Sequence, residues 1–128
     1  ELLIAVELPV AGKSVHFFHE FARRHGDYAI AGLAAQAIVE KDVFTDLRLV
    51  FFAVGDRPVL ARAATRLVNI TITPPVLAAA SSALSEELDP HDDQQASAAM
   101  RRHLAKVLLA RGASALLDRP DLNAGGRA

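Results

Sequence analysis

Two short stretches gather the residue types that do chemistry. The first is His16-x-x-His19-Glu20. On a helix, a spacing of three brings two imidazoles to one face, with a carboxylate beside them. A metal centre needs a third ligand and an ordered surround. No "HExxH" is present, and His25, His91 and His103 have no fixed relation to the pair. The simpler expectation is two partly exposed histidines on an amphipathic helix. The second stretch is Arg23-Arg24-His25-Gly26-Asp27-Tyr28. Its plainest reading is a helix end: cations suit the negative pole of the dipole, and Gly26 is the usual left-handed terminator. That leaves Asp27 and Tyr28 together where the chain turns into a sheet. A tyrosine there can lay its ring against a flat ligand while its hydroxyl reaches water or a polar neighbour.

Other chemistry finds little support. Serine, histidine and aspartate all occur, but no "GxSxG" elbow exposes a nucleophile. The seven glycines form neither "GxGxxG" nor "GxxxxGK[ST]", so no phosphate cradle is visible. The absence of cysteine excludes disulfides, thiolate nucleophiles, iron–sulfur clusters and cysteine zinc sites. It also fits a reducing compartment, and a cytoplasmic location is expected. Residues 101–111, "RRHLAKVLLAR", read first as a solvated basic helix face and second as a docking face for an acidic partner.

The elements that must position these residues follow from pattern. "LLIAVELP" is a short β-type run that Pro9 stops. Ser14 can cap a helix to about Arg24, with Phe17, Phe18 and Phe21 on one side. Residues 28–40 favour strand, "KDVFTD" is a connection of hairpin length, and "LRLVFFAVG" alternates as a buried strand. "VLARAATRLV" suggests a further strand running into an irregular piece. Thr73 before Pro74-Pro75 starts a helix whose buried face carries Leu77, Ala80, Leu84 and Leu88. The longest helix spans 95–117, with Met100, Leu104, Val107, Leu108 and Ala115 inward and Arg101, Arg102, Lys106 and Arg111 outward. The fold class is α+β: a small antiparallel sheet of about three to four strands packed with about three helices. One domain over residues 1–117 and a flexible tail over 118–128 are expected.

At 128 residues, 52% hydrophobic and 23% charged, the chain can bury a core without metals. A net charge of −1 lacks the basic field that drives nucleic-acid binding. No apolar run approaches the ~20 residues of a membrane helix. The chain begins at Glu1 without a methionine, so a processed or excised piece of something longer is expected.

"FFHEFARRHGDYAIAG" resembles the segment that opens the C-terminal domain of the FAD-binding (medium) subunit of the molybdenum hydroxylases. That family includes the flavin subunits of aerobic carbon monoxide dehydrogenase and xanthine dehydrogenase. "MRRHLAKVLLAR" is similar to the family's closing helix, and "LRLVFFAVGDRPVLARAA" and "ELLIAVELP" fit its central and entering strands. The resemblance runs to about Ala115. Two places depart: "RLVNITITPP" stands where Leu-x-Gly is usual, and Met100 replaces an aromatic.

The resemblance implies a division of labour. FAD would be bound mainly by a missing N-terminal half, and no cofactor is expected tightly bound to this chain alone. Asp27 and Tyr28 would lie beside the isoalloxazine. Tyr28 would cover one face, and Asp27 with Arg23 and Arg24 would set the local field. Electrons would arrive from iron–sulfur and molybdopterin subunits and leave to an acceptor. The chain would not catalyse by itself. The alternative is a stand-alone α+β interaction or dimerisation module.

Overall fold

The computed structural model describes residues 1–10 and 12–118. Four strands, β1 (Val15–Ala22), β2 (Ala29–Glu40), β3 (Val43–Phe52) and β4 (Val59–Leu60), form one antiparallel sheet in the order β1-β2-β3-β4. A short 3-10 helix (Arg62–Leu67) leads to α1 (Pro74–Glu87) and α2 (Ala98–Leu117). The α+β expectation therefore holds, with an antiparallel four-stranded sheet and three helical segments.

The largest correction concerns residues 14–24, expected as a helix and found as β1. Three phenylalanines at 17, 18 and 21 satisfy both a helical and an alternating pattern. The alternation prevails because the segment pairs along its length with β2, from Val15↔Ala37 to Ala22↔Ala29. Val15, Phe17 and Phe21 turn toward the core, while His16, Phe18 and Glu20 are exposed. Aromatic and β-branched side chains suit that pleated, half-buried surface. The histidine pair dissolves with the helix, since a spacing of three on a strand puts two side chains on opposite faces. His19 lies in the row of Phe17 and Phe21, in ring contact with both.

Other boundaries also shift. No strand forms over residues 1–10, whose apolar side chains are exposed. The β2–β3 connection is only Lys41-Asp42, both at positive φ (51° and 63°), and Phe44 is already a fully buried strand residue. Positive φ at both positions is the signature of the primed two-residue turns that match strand twist. The Thr73 start of α1 is as expected: its hydroxyl accepts from Val76 N–H, with proline in the first turn. Ala80, Leu84 and Leu88 are buried and Leu77 half-buried. Helix α2 begins three residues later than expected, capped by Ser97. Two of its inward and outward assignments are reversed: Met100 is exposed and Arg101 is buried. Of the expected tail, residues 118–128, all but Asp118 lie outside the described residues.

The core lies between one sheet face and the helices. Leu33, Leu49 and Phe51 meet Leu84, Leu108, Leu109 and Leu116 in one cluster. Gly112 lets α2 come close to the sheet: a Cβ there would stand 2.9 Å from Leu33 Cδ2 and 3.3 Å from Phe17. The opposite sheet face stays open. On it the Phe18 and Phe52 rings stack at 5.6 Å across β2, above Gly32, where a Cβ would fall 2.0 Å from the Phe52 ring.

The Lys41-Asp42 turn yields a direct test. Asp42 holds a left-handed conformation that glycine adopts without a Cβ clash. Asp42→Gly should raise stability by about 0.5–1 kcal/mol, read as a higher denaturant midpoint with an unchanged slope. An unchanged or lower midpoint would contradict the turn geometry.

Candidate functional site: the turn of residues 23 to 28 and its anchors

Antiparallel pairing brings the exit of β1, the start of β2 and the exit of β3 to one end of the sheet. The N-terminus of α2 and the loop of residues 89–97 meet the same end, because Arg101 and Arg23 reach across to it. Residues 23–28 form the β1–β2 connection there, not a helix end. Gly26 has φ +84°, and Asp27 N–H donates to the Arg24 carbonyl at 3.1 Å, closing a tight turn. Asp27 Oδ1 accepts from Tyr28 N–H at 2.9 Å, so its carboxylate fixes the backbone as the chain enters β2.

The four residues singled out from the sequence separate into two roles. Arg23 points across the end of the sheet, donating through Nη2 to the carbonyls of Gln94 (2.8 Å) and Gln95 (3.0 Å). It ties the turn to the 89–97 loop. Arg24 makes no ion pair or hydrogen bond through its guanidinium among the described residues, and it lines a groove with Phe18, His19, Glu20, His25 and Gly26. Tyr28 is the single tyrosine of the chain, and 84% of it is exposed. The fold thus holds an aromatic ring out into solvent on a turn whose backbone is pinned.

Arg101 is the residue that sequence reasoning misplaced. It is only 7% exposed and is the one buried charged side chain among the described residues. Its Nη1 donates to the carbonyls of Ile30 (2.7 Å) and Ala53 (2.8 Å), and its Nη2 pairs with Asp93 Oδ2. Nε has no partner among the described residues. Ala53 sits at φ 59°, a left-handed conformation uncommon for alanine. The signal that could have located Arg101 is weak: an arginine at the start of a helix, where the dipole disfavours a cation, asks for a partner.

Asp93 is that partner and more. Its Oδ1 accepts from Gln95 N–H (2.8 Å) and Ala96 N–H (3.0 Å), while Oδ2 meets Arg101. The Ala96 N–H, then Arg101, then the Gln95 N–H hold its carboxyl down to about 2, from an ordinary 3.8. Asp92 Oδ1 accepts from Ala98 N–H and Ser97 Oγ from Met100 N–H, so the loop enters α2 already hydrogen-bonded. The site end is thus a set of pinned backbones presenting Tyr28 and Arg24 outward.

Because Asp93 is more acidic in the folded state, its contribution to stability is full above about 3.8 and disappears as the pH falls through about 2. Asp93→Asn should therefore lower the denaturant midpoint near neutrality, and the gap from the parent should close between pH 4 and pH 2. A gap that stayed constant over that interval would contradict this pairing.

Comparison with known proteins places the chain in a family and a fold. The sequence model of the CO dehydrogenase flavoprotein C-terminal domain matches residues 16–116. The chain is 27% identical over 109 residues to the glyceraldehyde dehydrogenase medium chain of Sulfolobus acidocaldarius, covering 84% of this chain and 39% of that protein. It is 30% identical over 122 residues to the 6-hydroxypseudooxynicotine dehydrogenase complex subunit alpha of Paenarthrobacter nicotinovorans, covering 93% of this chain and 41% of that protein. In structure it is similar to a chain of the reconstituted CO dehydrogenase from Oligotropha carboxidovorans, with a TM-score of 0.81 at 24% identity over 88% of this chain and 40% of that chain. The chain thus spans about two-fifths of the length of the relatives it matches. From the family match across most of its described residues, and from the shared fold, the chain belongs to the CO dehydrogenase flavoprotein C-terminal domain family.

Proposed function

We propose that this chain is the flavin-covering domain of an FAD-containing dehydrogenase subunit, with the turn of residues 23–28 as one wall of the flavin site. Tyr28 carries the reading: a large ring, 84% exposed, on a turn fixed by Asp27 and Gly26. An aromatic ring held out of the core on a rigid backbone is ready to cover a flat ligand at little entropic cost.

The residues present fit one wall and no more. Tyr28 offers a flat face and Arg24 an unpaired cation, while no glycine-rich loop offers N–H groups to a pyrophosphate. FAD, when bound, supplies the electron-transfer chemistry. Tyr28 covers one face of the isoalloxazine and excludes water from it. Asp27 and Arg24 set the charge beside the ring. Arg23, held by Gln94 and Gln95, acts on that field from a fixed position.

In this reading residues 1–117 are the domain, and the remaining FAD contacts come from an N-terminal part of the same subunit. As the family resemblance implies, iron–sulfur and molybdopterin subunits are the electron donors in this reading; the chain itself, without cysteine, provides no thiolate cluster ligands. The relatives named as a medium chain and as a subunit of a dehydrogenase complex support a multi-subunit setting. No described helix is long and apolar enough to cross a membrane.

Titration of FAD, followed by flavin fluorescence, tests the proposal. The 128-residue chain alone should bind weakly or not at all, and the complete subunit tightly. Tyr28→Ala in the complete subunit should weaken binding about three- to tenfold, the scale of one aromatic stacking contact. Tight binding by the chain alone, or unchanged affinity and flavin spectrum in Tyr28→Ala, would overturn it.

A further inference from the structure

We propose that Arg101 is the positioning residue of the flavin-facing turn, acting on Tyr28 through the Ile30 and Ala53 carbonyls; this rests on the reading of that turn as the flavin wall. The case begins with where Arg101 sits. It lies in the first turn of α2, the end at which the helix dipole disfavours a cation. It is also buried, and burial of a charge is costly unless the group is paired and hydrogen-bonded. Neither helix stability nor core packing explains an arginine there.

Its contacts do. The β2–β3 ladder stops at Gly32↔Phe52. Beyond that point β2 continues toward Tyr28 without β3 beside it, and β3 leaves the sheet through the left-handed Ala53. Arg101 Nη1 bridges the two separating backbones, bonding Ile30 on one and Ala53 on the other. Ile30 is two residues from Tyr28. On one side β1 holds this stretch through Phe21↔Ala31 and Ala22↔Ala29, and on the other the Arg101 bridge replaces β3, so both set the direction in which the turn leaves the sheet. Asp93 holds the guanidinium in place by its Nη2, and Arg23 fixes the other side of the same turn to Gln94 and Gln95. Lysine cannot reproduce the bridge, because it lacks the planar fork that addresses the two carbonyls and the carboxylate together.

The test is a double-mutant cycle in the complete flavoprotein subunit, read by FAD affinity and by the flavin midpoint potential. Arg101→Lys should weaken FAD binding by no more than the roughly three- to tenfold of Tyr28→Ala, as expected of coupled neighbours, and shift the potential. Arg102→Lys, one residue on, should change neither. Combined with Tyr28→Ala, Arg101→Lys should add little beyond Tyr28→Ala alone. Additive losses, or an Arg101→Lys variant with native affinity and potential, would overturn the positioning role and leave the flavin wall standing. A Tyr28→Ala variant with no effect would remove both. If Arg101→Lys does not fold, Asp93→Asn should give a smaller loss in the same direction. That variant removes the carboxylate charge from Nη2 and weakens the Gln95 and Ala96 N–H bonds of the loop, while leaving both carbonyl bonds of Nη1. Unchanged FAD affinity and potential in it would count against the role.

Discussion

The end of the sheet depends on one buried charge. A guanidinium removed from water needs its charge and donors met within the fold. Arg101 meets that demand at Nη1 and Nη2 with a carboxylate and two main-chain carbonyls, Nε alone being without a partner among the described residues. Those partners come from three separate segments: the start of β2, the exit of β3 and the loop before α2. One side chain therefore fixes the relation of elements far apart in sequence. Asp93, also anchored by two backbone N–H groups, turns the loop itself into part of the clamp. The result is a rigid frame around a turn that presents Tyr28 and Arg24 to solvent.

The division between frame and surface follows from composition. The helix-covered sheet face carries Leu33, Leu49 and Phe51, and Gly112 allows α2 to close against it. The open face carries the stacked Phe18 and Phe52 and alternates with polar residues such as Glu20 and Arg48. The groove beside the turn begins at Phe18 and ends at Gly26, so the open face and the candidate flavin wall are continuous. A domain built to cover a cofactor held elsewhere needs this kind of exposed, pre-shaped edge more than it needs a pocket of its own.

Much of this was legible in the sequence because local chemistry and fold agreed. Thr73 before two prolines starts α1, and the run expected as a strand over residues 28–40 forms β2 from Ala29 to Glu40 despite its alanines. Gly26 was read as a left-handed terminator and does have positive φ, although it closes a strand connection and not a helix. Residues 15–22 failed as a helix because three phenylalanines suit both periodicities, and only pairing with β2 decides between them. Arg101 was assigned to solvent because helical position alone makes an arginine look like surface. Its burial depends on Ile30, Ala53 and Asp93 converging in space, which spacing along the chain does not reveal. Asp92 and Asp93 likewise looked like part of a polar loop, and their backbone bonds became visible only with the fold.

The most direct measurement is an experimental structure of the complete subunit with FAD bound, resolved well enough to place the Tyr28 ring. Tyr28 should lie in contact with one face of the isoalloxazine, with Arg24 beside the ring and Arg101 on the Ile30 and Ala53 carbonyls. An isoalloxazine remote from residues 23–28, with Tyr28 still in solvent, would contradict the assignment of this turn as a wall of the flavin site.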